Sequence, residues 1–321
     1  MDTHTFSLAV DGAVLKGTAW LPENPSALML IEHGMAEHHL RYADFAAWLV
    51  SAGVGVYAYD KRGHGQTAGP SGSEEYERSA GWFAHRHGWK TVVNDSLAIL
   101  ELIRGQHDLL PLFVFGHSMG SFVARDLVAD PRCGKFKLAG LILSGTAGPA
   151  GNLGTVGRIL AWTLIHMKGA TRASPFLDKM ASGKHAQLVT GDALPRTPFE
   201  WLSRDTAEVD KYIADPYSGN VMATSFYRDL LVGLASLFTP AYAKRFPRDL
   251  PVLMYSGDCD PVGGMGVGVS AVAESYRAWG LKDFTFKLYP GGRHEMHNET
   301  NRQEVYELVS GWLSAHIERA R

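Results

Sequence analysis

A chain of 321 residues with 45% apolar and 20% charged side chains has the composition of an ordinary globular enzyme, not of a disordered chain. Its formal net charge of −2, without a basic run longer than a few residues, speaks against a nucleic-acid partner and favours a neutral or apolar small molecule. Cys133 and Cys259 match neither a disulfide framework nor a metal-ligand spacing, and neither a leader nor a membrane-spanning run is recognisable, so reduced thiols, no metal and a cytoplasmic location are expected.

Thr5 to Val10 and Ala13 to Leu21 flank Asp11-Gly12, a two-residue turn signal, and predict an opening antiparallel hairpin. The apolar runs that follow are Ala27 to Ile31, Val54 to Tyr59, Leu112 to Phe115, Leu138 to Leu143, Val252 to Tyr255 and Phe284 to Tyr289. They are short and apolar throughout, as strands covered on both faces should be. Helical patterns at Tyr42 to Ser51, Trp89 to Arg104, Ser121 to Ala129, Gly266 to Trp279 and Gln303 to Ile317 separate most of them. The alternation predicts an α/β fold with a mostly parallel central sheet and helices on both faces. In the last helix Val305, Leu308, Val309, Trp312, Leu313 and Ile317 form one stripe, and Thr300 with Gln303 has capping-box spacing.

One connection is far too long for a loop. About a hundred residues separate the strand ending near Ser144 from the one beginning near Val252, where about a dozen is the usual limit. The expected organisation is therefore a core built from residues 1–145 and 246–321, interrupted by a helical cap insertion over 146–245. Helices are expected there at Val156 to Met167, Phe199 to Ile213 and Met222 to Phe238.

Gly116-His117-Ser118-Met119-Gly120 lies between a strand and a helix, which makes Ser118 the candidate nucleophile. A sharp turn there lifts a hydroxyl above the carboxyl end of the sheet, and the glycines let strand and helix backbones pass. For a serine so placed, the acid and the histidine follow in chain order. Ser256-Gly257-Asp258-Cys259-Asp260 offers two acids; Asp260, beyond the Gly257 turn, is preferred and Asp258 is the rival. Gly291-Gly292-Arg293-His294-Glu295-Met296-His297 offers His294 as the general base, with His297 as its rival. His33-Gly34-Met35 ends a strand, and the backbone N–H groups of Met35 and Met119 would form an oxyanion hole. Asp60 to Thr67 lacks the pattern of a phosphate loop or a metal site and reads as a braced turn.

Together, His33 to His38 with Arg41-Tyr42, Asp60 to Gly65, Gly116 to Gly120, Gly257 to Asp260 and Gly292 to Glu295 resemble the monoacylglycerol lipase and lysophospholipase branch of the α/β-hydrolase superfamily, the serine aminopeptidase S33-like hydrolases. The resemblance runs almost end to end. It implies the α/β-hydrolase fold, a Ser118, Asp260, His294 triad, oxyanion donors at Met35 and Met119, a lid-like cap, no cofactor, and carboxylic esters with one acyl chain. Two positions depart from the pattern: Met35 replaces a smaller residue, and Thr67 replaces serine. Leu160, Trp162, Leu164, Ile165, Met167, Phe176, Leu177 and Met180 are candidates to line an acyl tunnel or touch a membrane surface, Leu160, Ile165 and Phe176 foremost, although any one of them is expected to pack inward. Small-ester hydrolysis, amide or peptide cleavage, and non-catalytic binding of an apolar ligand on the same scaffold are the competing readings.

Overall fold

Asp11 and Gly12 take φ values of +40° and +76°. They turn β1 (Asp2–Val10) back onto β2 (Ala13–Leu21) as an antiparallel pair. The structure, a computed structural model, describes residues 1–320. The chain continues through β3 (Ala27–Glu32), α1 (Ala43–Ser51), β4 (Val54–Tyr59), α2 (Glu74–Ser79), α3 (Gly88–Gln106), β5 (Leu112–His117), α4 (Met119–Ala129) and β6 (Gly140–Ser144). Six helices follow before the next strand: α5 (Gly151–Lys168), α6 (Pro175–Ser182), α7 (His185–Thr190), α8 (Thr206–Ala214), α9 (Thr224–Ser236) and α10 (Pro240–Arg245). Then β7 (Val252–Gly257), α11 (Val267–Ala278), β8 (Phe284–Tyr289) and α12 (Arg302–Ala320) complete the chain.

The strands form one eight-stranded sheet in the order β1-β2-β4-β3-β5-β6-β7-β8. β2 runs antiparallel to β4, and every pairing from β4 onward is parallel. Every residue of β3, β4, β5, β6 and β7 is buried, because helices cover both faces. Side chains alternate between two cores, as a period of two requires. Leu28, Leu30, Val114, Leu141 and Leu143 pack with Ile99 and Leu100 of α3, Val123 and Leu127 of α4 and Val272 of α11. Met29, Ile31, Phe113, Phe115 and Ile142 pack with Phe45 and Leu49 of α1 and Val309 and Leu313 of α12. Each such side chain contributes roughly 1.5–3 kcal/mol by leaving water.

The structure differs from the sequence expectation in places where tertiary partners take over local signals. Phe199 to Ile213 is helical only from Thr206, where Asp205 accepts the Ala207 N–H. The preceding residues are held out of a helix by the segment after β8: the Trp201 and Leu202 carbonyls accept the N–H groups of His294 and Glu295, and Ser203 Oγ donates to the Asn298 carbonyl. The capping box at Thr300 does not form. Its hydroxyl donates instead to the buried Glu299 carboxylate, and Gln303 donates to Glu307. Helices α2, α6 and α7 had no clear periodicity in the sequence, each being a turn or two long. Of the eight apolar insertion residues, Leu177 is buried, Leu160 and Leu164 pack against the core and Ile165 is half-buried. Trp162, Met167, Phe176 and Met180 do not pack inward; they are exposed.

Candidate active site

β5 ends at His117 and α4 begins at Met119, so Ser118 is the whole of the turn between them. It stands at φ +51° and ψ −124°, outside the ordinary basins for a residue with a Cβ, at a cost of order 1–3 kcal/mol. Two glycines make that geometry possible. A Cβ on Gly116 would lie 2.6 Å from the Gly120 carbonyl oxygen, and one on Gly120 would collide with the Glu32 carbonyl at the end of β3. The Ser118 N–H donates to the Ser144 carbonyl at 3.0 Å, which pins the turn to the end of β6. Its side chain makes no capping bond to α4, so the hydroxyl is not engaged in holding the helix.

The loops after β7 and β8 meet at the same edge. His294 Nδ1 lies 2.9 Å from Asp260 Oδ2, with both side chains buried. Asp260 is itself oriented by the Val262 N–H at 2.8 Å and Ser256 Oγ at 3.2 Å. Burial opposes protonation of His294, but the Asp260 carboxylate beside it prevails and lifts its pKa above the usual 6.5. With Nδ1 facing Asp260, Nε2 is the nitrogen left to exchange protons. Gly145, at φ +58°, carries no side chain between these groups; a Cβ there would stand 3.1 Å from the rings of both His294 and His117.

Neither rival residue joins this pair. Asp258 accepts the Gly291 N–H at 2.7 Å and shapes the loop that precedes His294. His297 stacks on Tyr42 with ring centroids 4.9 Å apart, neither of its nitrogens is hydrogen-bonded, and burial pushes its pKa down to about 4.

The loop after β3 borders the elbow: a Cβ on Gly34 would lie 3.1 Å from Ser118 Cβ. His33 Nε2 accepts the Lys61 N–H at 2.9 Å, so the ring proton sits on Nδ1, which donates to the Gly34 carbonyl at 2.8 Å. A peptide group is planar and trans, so fixing the Gly34 oxygen also fixes the opposite direction of the Met35 N–H. The Met119 N–H belongs to the first turn of α4, where backbone donors have no intrahelical acceptor and the helix dipole favours negative charge. Glu37 accepts from Gly34 N, Tyr42 Oη and Arg41, and Arg41 pairs with Glu295 through both terminal nitrogens at 2.7 Å. The Asp60 turn is braced in the same way, by His39, Gln66 and Thr67.

Two neighbours carry no signal in the local sequence. The Trp201 ring lies 5.0 Å from His294, with its carbonyl accepting the His294 N–H, and His185 of α7 stands edge-on to Trp201 at 5.0 Å. Burial pushes the His185 pKa down to about 4. Leu160 and Ile165 are half-buried on α5, whereas Phe176 is more than half exposed on α6.

A sheet of this order, interrupted after β6 by a helical insertion, with a serine on the elbow after β5 and a carboxylate-bound histidine on the loop after β8, is the α/β-hydrolase fold. The chain belongs to the serine aminopeptidase S33 family of hydrolases, whose sequence profile matches residues 23–301. It is 28% identical over 318 residues to a monoacylglycerol lipase of Mycolicibacterium smegmatis, covering 98% of this chain and 97% of that one. Among solved structures it is similar to a thermostable carboxyl esterase from Bacillus coagulans in complex with glycerol, with a TM-score of 0.87, 28% identity and 99% of each chain covered. A lipase in an open form gives a TM-score of 0.84 at 30% identity, again over 99% of each chain.

Proposed function

We propose that this chain is a serine carboxylic-ester hydrolase acting on single-acyl-chain lipids such as monoacylglycerol or lysophospholipid. Ser118 Oγ attacks the ester carbonyl while His294 Nε2 takes its proton, and Asp260 holds the tautomer and stabilises the imidazolium. The tetrahedral oxyanion is received by the N–H groups of Met35 and Met119. Its collapse expels the alcohol with the proton returned by His294, leaving an acyl-enzyme that a water activated by the same histidine hydrolyses. No cofactor enters either half-reaction. The observation that carries this reading is the buried 2.9 Å His294–Asp260 pair at the sheet edge where Ser118 is held at positive φ.

The names of the relatives support an ester substrate, and the monoacylglycerol lipase and lysophospholipase-like motifs support a single acyl chain. Peptide cleavage, which the family's name denotes, is the rival. An aminopeptidase needs a carboxylate for the substrate's terminal ammonium, and the glutamates beside the elbow are engaged elsewhere, Glu32 with Lys61 and both Glu37 and Glu295 with Arg41. The reading takes residues 146–245 as a cap over the site. The outward apolar side chains Ile159, Trp162, Met167, Phe176 and Met180 support peripheral contact of that cap with a lipid surface, while no described helix is long and apolar enough to cross a membrane.

A fluorophosphonate probe is expected to add to Ser118, and p-nitrophenyl esters of two to sixteen carbons to be turned over with a preference for medium or long chains. An adduct on another serine, or turnover of aminoacyl amides alone, overturns the reading. Contact with lipid predicts co-sedimentation with phosphatidylcholine vesicles that is lost when Trp162 and Met167 are replaced by serine; binding unaffected by that change would remove the cap from the interface.

A further inference from the structure

The loop carrying Met35 is held by the insertion as well as by the core. Ala36 stands at φ +56°, a left-handed conformation that residues with a Cβ seldom adopt. Its carbonyl oxygen accepts two hydrogen bonds, from Tyr212 Oη at 2.9 Å and from the Gly219 N–H at 2.9 Å. Both donors come from the insertion: Tyr212 lies on α8, and Gly219, itself at φ +72°, lies on the connection to α9. Two further contacts join the same segments. His38 Nε2 meets Asp215 Oδ2 at 2.7 Å, and the Arg41 guanidinium sits 4.7 Å from the centre of the Tyr212 ring. Tyr212 and Ala36 are buried, so water does not replace these bonds.

Met35 is thus bracketed. On one side His33 fixes the Gly34 carbonyl; on the other, Tyr212 and Gly219 fix the Ala36 carbonyl. When that anchor is weakened, Ala36 loses what offsets its left-handed backbone and relaxes toward negative φ, turning the Met35–Ala36 plane and shifting the Met35 Cα on which the Gly34–Met35 peptide is hinged.

We infer that the Tyr212–Gly219 segment of the insertion positions the oxyanion donor: by gripping the Ala36 carbonyl it holds that residue left-handed and keeps in place the Met35 Cα, so that the Met35 N–H oriented by His33 stays at the developing oxyanion. Tyr212 touches no reacting atom and is a positioning residue. The inference rests on the proposed role of Met35, and it makes the insertion a determinant of turnover as well as of substrate choice.

Tyr212→Phe removes one hydroxyl and keeps the ring against Phe199. It is expected to lower kcat roughly 10- to 100-fold with KM within about 2-fold, the loss that follows when a transition-state donor is misaimed. The inhibition constant of a trifluoromethyl ketone, which forms the same oxyanion on the enzyme, should rise in parallel. Adding Ala36→Gly to Tyr212→Phe should restore most of kcat, because glycine holds positive φ without strain and the Gly219 bond alone then suffices. Asp215→Asn, which weakens the neighbouring His38 contact, is expected to lower kcat several-fold and provides the reading should Tyr212→Phe not fold. A rise in KM alone, a wild-type kcat, or a loss that Ala36→Gly leaves uncorrected overturns the inference. Probe labelling of Ser118 in the wild-type protein is measured first; its failure would condemn the serine-esterase reading itself, not the clamp.

Discussion

Replacing Ser118 with alanine is expected to lower kcat by roughly 10⁴- to 10⁶-fold, the range seen when the nucleophile of a serine triad is removed. The fold should survive. The hydroxyl caps no helix, the backbone bond from Ser118 N to the Ser144 carbonyl is independent of the side chain, and alanine at φ +51° is no more strained than serine. Asp260→Asn is expected to cost about 10⁴-fold, because an amide in place of the carboxylate presents the wrong hydrogen-bonding group to His294 Nδ1 and no longer stabilises the imidazolium. The double variant should be no slower than Ser118→Ala alone, since the three side chains act as one unit. Steady-state turnover of a medium-chain ester, checked against thermal melts, decides the matter. If Ser118→Ala kept more than about a hundredth of wild-type kcat, water attack assisted by another group would have to replace the acyl-enzyme.

The sequence made the elements of this site legible because each is local. A buried strand followed at once by Gly-X-Ser-X-Gly and a helix leaves the serine nowhere to go but a strained turn, and a turn residue such as Gly257 or Gly292 shows where a strand stops. Its place beyond the Gly257 turn favoured Asp260 but left Asp258 as a rival. In the structure the difference comes from three dimensions: Asp258 is taken by the Gly291 amide of the neighbouring loop, while Asp260 reaches His294. The insertion was legible as a length and poorly legible as structure. Trp201 and His185 come to His294 across about a hundred residues of chain, and Tyr212 comes to Ala36 across a larger separation still, so no periodicity announces them. The same long-range bonding explains the shortened α8, where the residues before Asp205 pair with the segment after His294 instead of with one another.

Acid should act on this protein twice, at different pH and by different groups. The first effect is catalytic: the His294 pKa lies above 6.5, so kcat/KM is expected to fall reversibly with an apparent pKa above that value while the fold is intact. The second is structural. Burial pushes His64 and His297 down to about 4 and His33 and His117 well below their usual 6.5. The unfolded chain takes up those protons near pH 6.5 and the folded chain refuses them until far lower, so stability falls as pH drops from about 6.5 toward 4. His294 works the other way, since its raised pKa favours the fold below 6.5, and so does Asp95, whose carboxyl burial pushes up to about 6; against them stand five histidines lowered by burial, His185 included. A histidine with a folded pKa of about 4 costs about 2 kcal/mol of stability at pH 5, so His64 and His297 together should lower Tm by roughly 5 °C between pH 7 and pH 5. His297→Gln, which replaces a titrating ring stacked on Tyr42 with a neutral amide, should flatten that dependence even if it lowers Tm at pH 7. Thermal melts across pH 4 to 8 read one curve and pH–rate profiles the other. A Tm independent of pH in this range would mean that these rings are hydrated or already charged in the fold, while a rate profile whose acid limb lay below 6.5 would separate His294 from the Asp260 carboxylate that raises its pKa.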